Sequence, residues 1–429
     1  MKSFFYLALS VCLLASCQNR SAPIVSQNFV DSLITHYDNS ASLTRVEQDL
    51  VFWKNRIEPS SPDFVNTLRY AAQLVGRFHL LGHINDVVVS DSVLNKLVTD
   101  FNGKEASPYL ALVRNAILQH RFRTADSLLH LADSIGIKPY DAAALSFDVD
   151  FELGRMTLAE NDLKKITMEN DYGYQFRQSK LMHYKGELGA SLKAMEKAAE
   201  LCGNNEILRN AALSNLADLY VHAGKLDKAY NTYVQCIKAD PADLHSLMGI
   251  GRIALLSDKK DSLAQRIFQF IASKTAAPDA IYQLIGVAEE RGDSVMMKKW
   301  ATEFEAKTTM PVYGHMYNKY LIYLYAGILN APAKGEALAL KELQNRNTPQ
   351  TNAWYAYALM KNGKTTEAYA VYNKSISEKP LEGLELYYMG KLMKALDKGF
   401  NANQFFEQAE KNRYDLTTGI NKDLDLNKE

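Results

Sequence analysis

The residues that could carry out chemistry are few and scattered along the chain. Asp148, Asp150 and Glu152 stand at i, i+2 and i+4 of a predicted helix. That spacing cannot bring three carboxylates onto one cation, so we interpret them as a solvated helix face. None of the histidines forms a pair with metal-ligand spacing, and the sequence has no HExxH, CxxC or GxSxG motif and no phosphate-binding loop. The sequence therefore predicts no enzyme, no metal site and no cofactor.

The charge balance indicates no class of partner. Lys+Arg and Asp+Glu each number 49, so no net field attracts nucleic acid or an anionic membrane surface. Hydrophobic residues make up 47% of the chain, which is typical of a folded protein.

The first residues combine a basic Lys2 with an apolar run over residues 4–14 and the sequence Leu14-Ala15-Ser16-Cys17. The apolar run is too short to span a bilayer stably. The last four residues resemble the lipobox of bacterial lipoproteins, which implies a signal peptide over residues 1–16 and lipidation of Cys17. An ordinary secretory signal with an incidental cysteine is the alternative. Gln18 replaces the aspartate that retains such lipoproteins in the inner membrane, so the resemblance implies an outer-membrane lipoprotein that faces the periplasm.

Two cysteines remain outside this segment. Cys202 and Cys236 could form a disulfide in an oxidising envelope. Alternatively, Cys236 packs as a compact apolar side chain, since it falls at a small core position of the pattern described next.

Residues 210–243 form the clearest structural unit of the sequence. Leu213, Leu216, Ala217 and Tyr220 recur at helical spacing and are followed by Gly224, and a second helical pattern then ends before a proline. The unit is a helix, a turn and a second helix. This order of large, small and aromatic residues resembles the tetratricopeptide repeat, position for position. The resemblance implies an all-α solenoid of stacked helix–turn–helix repeats in a right-handed superhelix.

Copies of this unit follow one another along the chain. The small residue of each second helix recurs every 32 to 38 residues, and five glycines stand five residues before it, where the first helix must end. The small positions are Ala125, Ala159, Ser191, Ala229, Ala264, Met297, Ala333, Ala368 and Ala402. The pattern predicts about nine repeats over residues 106–416, a divergent helical cap over residues 41–105 and a longer connection near residues 82–90. Residues 17–40 are predicted to be a flexible tether, and residues 417–429 a C-terminal tail.

The resemblance places ligand binding on the first helix of each repeat, which lines a concave groove. The groove-facing candidates combine charge with aromatic rings, a mixture that suits an extended peptide. They are Arg114, Phe176, Lys180, His183, Asp218, His245, Arg252, Tyr282, Asn318, Tyr357, Tyr387 and Lys391. Tyr313 and Tyr325 have no place in the repeat pattern, and they are the one hint of stacking on a sugar.

Two functions follow from this reading. The favoured one is a lipid-anchored, non-enzymatic scaffold that binds a protein or peptide partner in the bacterial cell envelope through its groove. The alternative is a nutrient-binding lipoprotein, for glycans or peptides, of the kind that serves outer-membrane uptake in Bacteroidota. Those proteins carry long insertions between repeats, and the regular spacing here leaves little room for them.

Overall fold

The computed structural model describes residues 22–58, 62–166, 169–396 and 401–427, and every regular element in these ranges is helical. The predicted signal peptide and Cys17 lie outside the described residues. Within the described residues, no helix is both long enough and apolar enough to cross a membrane.

Four helices precede the regular array: α1 (Gln27–Thr35), α2 (Ser40–Lys54), α3 (Phe64–Leu81) and α4 (Ile84–Asp100). The long connection predicted near residues 82–90 is wrong, because α4 begins two residues after Gly82. This glycine has a left-handed φ of 70°, and a Cβ on it would lie 2.4 Å from the backbone nitrogen of Ala277. Only glycine therefore allows this tight turn against a distant part of the chain.

The prediction of a flexible tether over residues 17–40 is also wrong for residues 22–40, which are the part that the structure describes. Val25 and Val30 are buried in one hydrophobic cluster with residues of repeats three to six. The backbone N–H groups of Ile24 and Val25 donate to the Asp258 carboxylate at 3.0 and 2.8 Å. Ile24, Phe29 and Leu33 pack against the same cluster, so an apolar face and one carboxylate dock the segment.

Nine helix pairs follow, which confirms the predicted number of repeats. The first helices are α5 (Ala106–Leu118), α7 (Pro139–Glu152), α9 (Tyr172–Tyr184), α11 (Glu206–His222), α13 (Leu244–Leu256), α15 (Asp279–Arg291), α17 (Asn318–Ala326), α19 (Pro349–Lys361) and α21 (Gly383–Leu396). The second helices are α6 (Phe122–Ile135), α8 (Met156–Lys165), α10 (Leu188–Leu201), α12 (Leu226–Ala239), α14 (Asp261–Lys274), α16 (Ser294–Thr308), α18 (Pro332–Asn345), α20 (Thr365–Val371) and α22 (Ala402–Glu410).

The repeat register explains how each pair packs. Ala125, Ala159, Ala229 and Ala264 are fully buried, as expected of small residues where two helices cross. The five glycines of the pattern all have left-handed φ angles between 66° and 80°. They are Gly154, Gly186, Gly224, Gly292 and Gly363.

The predicted register fails in the seventh repeat. Ala333 is exposed, whereas Gly335 and Ala339 of the same helix are buried. The cause is local, since α18 starts at Pro332 and thereby places Ala333 in its solvent-facing first turn. In the sixth repeat, Met297 is only partly buried and Ala301 fills the core instead.

The superhelix closes on itself, so that the first two repeats touch the seventh and eighth. Asn345 Nδ2 donates to the His120 carbonyl at 2.8 Å, and Arg346 pairs with Glu152 at 3.1 Å. The buried Glu342 carboxylate organises this contact by accepting hydrogen bonds from several neighbours. The first helices consequently surround a common interior.

The predicted C-terminal tail is a packed element rather than free chain. A single 3-10 turn, Arg413–Asp415, leads into a last helix, α23 (Thr418–Leu426). Leu416, Ile420 and Leu424 are buried in a hydrophobic cluster with residues of repeats seven to nine. We refer to residues 413–427 as the C-terminal segment.

Candidate functional site

The C-terminal segment lies in the interior of the superhelix, against first helices of five repeats. Arg252 of α13 donates to the Tyr414 carbonyl at 2.8 Å, and the Gly419 N–H donates to Glu289 of α15 at 2.9 Å. Further along, the Asp423 carboxylate accepts from Tyr387 at 2.9 Å and from Lys391 at 3.0 Å, both on α21. Contacts with α11 and α17 complete the set. These contacts identify the interior as the surface that the first helices share.

Two histidines meet one carboxylate at the start of the segment. Asp415 Oδ2 lies 2.5 Å from His222 Nδ1, and the rings of His222 and His183 are 4.4 Å apart. Burial alone would lower the pKa of His222, but the hydrogen bond and charge of Asp415 raise it above its ordinary value. Burial, together with the neighbouring His222, lowers the pKa of His183. His222 is therefore the member of this pair whose protonated form is stabilised by Asp415.

A cavity of about 510 Å³ opens beside this pair. Its apolar wall includes Phe176, Leu384 and Leu416. Its polar lining includes Lys180, His183, Asp218, Lys319 and Glu382. The combination of apolar wall and opposite charges is typical of a site for a polar ligand or a peptide side chain. We call it the larger cavity.

A second cavity, of about 140 Å³, lies on the other side of the segment. Arg252, Tyr282, Tyr320 and Glu289 line it. The rings of Tyr282 and Tyr320 lie 4.5 Å apart. Burial raises the pKa of Glu289, although the hydrogen bonds from Gly419 and Tyr323 oppose that shift. We call this space the smaller cavity.

Six of the predicted groove residues line these two cavities. Phe176, Lys180, His183 and Asp218 line the larger cavity, and Arg252 and Tyr282 line the smaller one. His245 stands beside them, with Nε2 3.0 Å from Asp218. Helical periodicity therefore predicted the correct faces of α9, α11, α13 and α15, and the structure brings these faces to one interior.

The remaining five predicted residues lie outside the cavities. Arg114 is exposed on α5 and bonds only within its own helix, to the Leu110 carbonyl. Asn318 is buried where the superhelix closes and donates to Glu342 at 2.7 Å. Tyr357 is buried and stacks on Tyr388 with ring centroids 3.8 Å apart. Tyr387 and Lys391 are bonded to the C-terminal segment instead of facing open space.

Other predicted features also have structural partners. Tyr313 and Tyr325 are buried, which removes the hint of sugar stacking. Asp148, Asp150 and Glu152 pair with three different cations, Arg177, Arg155 and Lys180, so they form ion pairs rather than a solvated face. Cys202 and Cys236 are both buried free thiols.

Sequence reasoning missed several residues of the site. His222 stands four residues after Asp218 on the same face of α11, so a longer helical count would have included it. Lys319 lines the larger cavity, whereas its neighbour Asn318 was the predicted groove residue. Asp415 and Glu382 precede α23 and α21 outside any α-helix, and no periodic pattern marks them.

Comparison with known families agrees with this architecture. The model of the tetratricopeptide repeat matches residues 211–243 and 349–380, which are the fourth and eighth helix pairs. The chain contains tetratricopeptide repeats. The seven other helix pairs repeat the same architecture, with sequences that diverge from the tetratricopeptide pattern. No curated protein matches the sequence as a whole.

Solved structures of tetratricopeptide-repeat proteins resemble the chain in fold alone. A tetratricopeptide repeat protein from Parabacteroides merdae is 16% identical, with a TM-score of 0.34, over 64% of this chain and 98% of its own. Human IFIT1, solved as a dimer with PPP-AAAA, is 12% identical, with a TM-score of 0.46, over 81% of this chain and 83% of its own. Yeast Tom70 is 11% identical, with a TM-score of 0.39, over 94% of this chain and 96% of its own.

Proposed function

We propose that this protein is a non-enzymatic scaffold that binds a segment of a partner protein in the interior of its superhelix. The larger cavity carries the proposal, because it lies open beside charged and aromatic first-helix residues. Tetratricopeptide repeats are a fold for protein interaction, and their stacked first helices present one long continuous surface.

The chemistry of the interior supports a peptide as the ligand. Arg252 already holds a backbone carbonyl of the C-terminal segment, and Glu289 already holds a backbone N–H. Groups of this kind recognise main-chain atoms and so accept a peptide of varied sequence. The neighbouring cavities then accommodate particular side chains.

The second part of the proposal concerns location. The resemblance of residues 14–17 to a lipobox supports a lipid anchor at Cys17, an outer-membrane position and a periplasm-facing scaffold. Replacing Cys17 with Ala would then release the protein from the membrane fraction. A Cys17→Ala protein that stays in the membrane fraction would contradict the anchor.

A nutrient-binding role is the second candidate, and the size of the larger cavity favours it. A volume of about 510 Å³ lies in the range of small-molecule sites. A short peptide or an oligosaccharide would then occupy the space beside Lys180 and His183. Thermal-shift measurements with oligosaccharides and short peptides test this role, since a bound ligand raises the melting temperature.

Site-specific crosslinking in intact cell envelopes tests the scaffold function. A photoreactive amino acid placed at Lys180 faces the larger cavity, whereas the same amino acid at Arg114 is exposed on a first helix outside it. We expect a small, reproducible set of proteins to crosslink from position 180 and not from position 114. Equal crosslinking from both positions, or none from position 180, would contradict the scaffold function.

A further inference from the structure

The C-terminal segment fills the interior only in part. Asp415 and Leu416 line both the larger and the smaller cavity, so the segment divides a wider space that it does not occupy. Protein interiors normally pack as densely as organic crystals. An interior that held only this segment would pack closely against it and leave no cavities beside it. The space that remains indicates a site built for a bulkier occupant.

The docked C-terminal segment also contains buried polar atoms without hydrogen-bond partners. Thr418 Oγ1 and Asn421 Oδ1 are buried and have no hydrogen-bond partner among the described residues. Buried polar groups without partners destabilise the state that contains them. The docked state therefore carries a penalty at Thr418, which precedes the buried Ile420, and another occupant can avoid it.

The contacts of the segment define the chemistry that the interior recognises. A carboxylate meets His222, the carbonyl before it accepts from Arg252, and Leu416 directly follows with 4% of its surface exposed. An aspartate followed by a leucine satisfies all three. Lys180 and Lys319 line the larger cavity together with Asp218 and Glu382, so a longer peptide would meet charges of both signs there. The interior thus suits a peptide with an Asp-Leu pair.

We propose that the interior site exchanges its occupant: residues 413–419 fill it in the free protein, and an Asp-Leu segment of a partner protein displaces them. The inference rests on the scaffold function and names the chemistry of the partner. Ile420 and Leu424 stay packed in the hydrophobic cluster of repeats seven to nine, so the displaced residues remain close to the site. Because residues 413–419 stay tethered, their local concentration is high and they compete with any partner for the site. Only a partner that also fills the larger cavity binds tightly enough to displace them.

A labelled synthetic peptide with the sequence of residues 411–427 tests the exchange on the full chain. Gly419→Ala loosens the native segment without changing the interior wall, because a Cβ at Gly419 would lie 2.6 Å from Glu289 Oε1. Gly189→Ala is the matched control, since no atom lies within 4 Å of a Cβ there. We expect the peptide to bind the Gly419→Ala chain at least tenfold more tightly than the wild-type or Gly189→Ala chain. Equal affinity for all three chains would overturn the proposal.

Changes in the peptide separate specific binding from general attraction. Peptides with Asp415→Asn or Leu416→Ala are expected to lose at least tenfold in affinity for the Gly419→Ala chain. If that chain fails to fold, as judged by circular dichroism, the Asp415→Asn chain replaces it with the same expected result. Peptides that bind equally well with and without the Asp-Leu pair would overturn the proposal. A variant that forms dimers but binds no free peptide would overturn it too, because the segment would then exchange only between copies of the chain.

The peptide test and the crosslinking test can fail independently. Crosslinks from position 180 without peptide binding leave the scaffold function standing and remove the exchange. Peptide binding without crosslinks contradicts the scaffold function and shows an interior site that takes only the segment of this chain.

Discussion

The two ends of the described chain dock on opposite surfaces of the same part of the solenoid. The N-terminal segment, residues 22–36, packs against the second helices α12 and α14. The C-terminal segment contacts the first helices α11, α13 and α15. Both were predicted to be free chain. The N-terminal segment has the contacts of a permanent brace, whereas the C-terminal segment has those of an exchangeable occupant.

The N-terminal segment fits its site closely. Val25 and Val30 are buried, and the Asp258 carboxylate accepts two backbone N–H groups that would otherwise lack partners. The C-terminal segment, in contrast, divides two cavities and leaves the space beside it unfilled. Close packing is the signature of stability, and its absence marks a surface with another purpose.

The largest expected effect comes from removing the apolar anchor of the C-terminal segment. Ile420→Ala deletes most of a buried side chain and should lower the free energy of unfolding by about 2–5 kcal/mol. Hydrogen exchange should show lost protection over residues 413–426 and unchanged protection in α1. Loss of protection at both ends would show that the two segments do not dock independently.

Val30→Ala is the matched change at the other end. It removes a smaller buried side chain, so we expect a loss of about 2 kcal/mol in unfolding free energy. Exchange should increase in α1 and stay unchanged over residues 413–426. The 411–427 peptide should bind this variant no better than wild type, and tighter binding would contradict the separation of brace and occupant.

The two docked segments should also respond differently to pH. Asp415 raises the pKa of His222 above its ordinary 6.5, so the stabilisation from this pair is complete below 6.5 and declines as pH rises through the folded-state pKa. The pKa of His183 is lowered instead, so this histidine adds no stabilisation that is lost as pH rises above 6.5. The other charged groups that line the same cavity are Lys180, Asp218, Lys319 and Glu382. We expect protection of residues 413–419 to fall as pH rises above 6.5, after correction for intrinsic exchange rates.

The control for pH is the contact of the N-terminal segment with Asp258, which involves no histidine. Protection of the Ile24 and Val25 amides should therefore stay constant over the same rise in pH. His222→Gln should abolish the pH dependence over residues 413–419. A pH dependence that survives this substitution would contradict the role of the His222–Asp415 pair.

The smallest effect is expected at Arg114, a predicted groove residue that the structure places outside the cavities. Arg114→Ala should change the unfolding free energy by less than about 0.5 kcal/mol, as is usual for exposed positions. Fluorescence anisotropy with the labelled 411–427 peptide should give the same affinity in the Gly419→Ala background with and without this change. A larger effect on affinity would extend the binding surface to the first repeat.

The sequence predicted the repeats because their physics is local. Small residues at helix crossings and left-handed glycines recur at fixed spacing, so helical periodicity alone gave nine helix pairs. In the seventh repeat the register failed because Pro332 starts α18 one residue before Ala333, whereas the second helices α6, α8, α12 and α14 start three residues before the small residue. The docked ends escaped prediction because α1 and α23 are each only nine residues long, so Phe29, Val30 and Leu33 or Ile420 and Leu424 repeat too briefly to stand out as a pattern.

The interior site was predictable in part. Lys180, His183, Asp218, Arg252 and Tyr282 lie on predicted faces of first helices, and the structure brings them together. Asp415 and Glu382 reach the same space from the C-terminal end because the superhelix closes. That closure depends on the sum of small rotations between repeats, which no local pattern encodes.

The central claim is that residues 413–419 are an exchangeable occupant of the interior. Hydrogen exchange of these residues in the wild-type chain, measured as a function of urea concentration, tests this claim most directly. The account predicts that these amides exchange through a local opening with little dependence on urea, whereas those of α13 exchange only when the repeats unfold. If both groups of amides show the same urea dependence, the C-terminal segment is a permanent part of the core and the account is wrong.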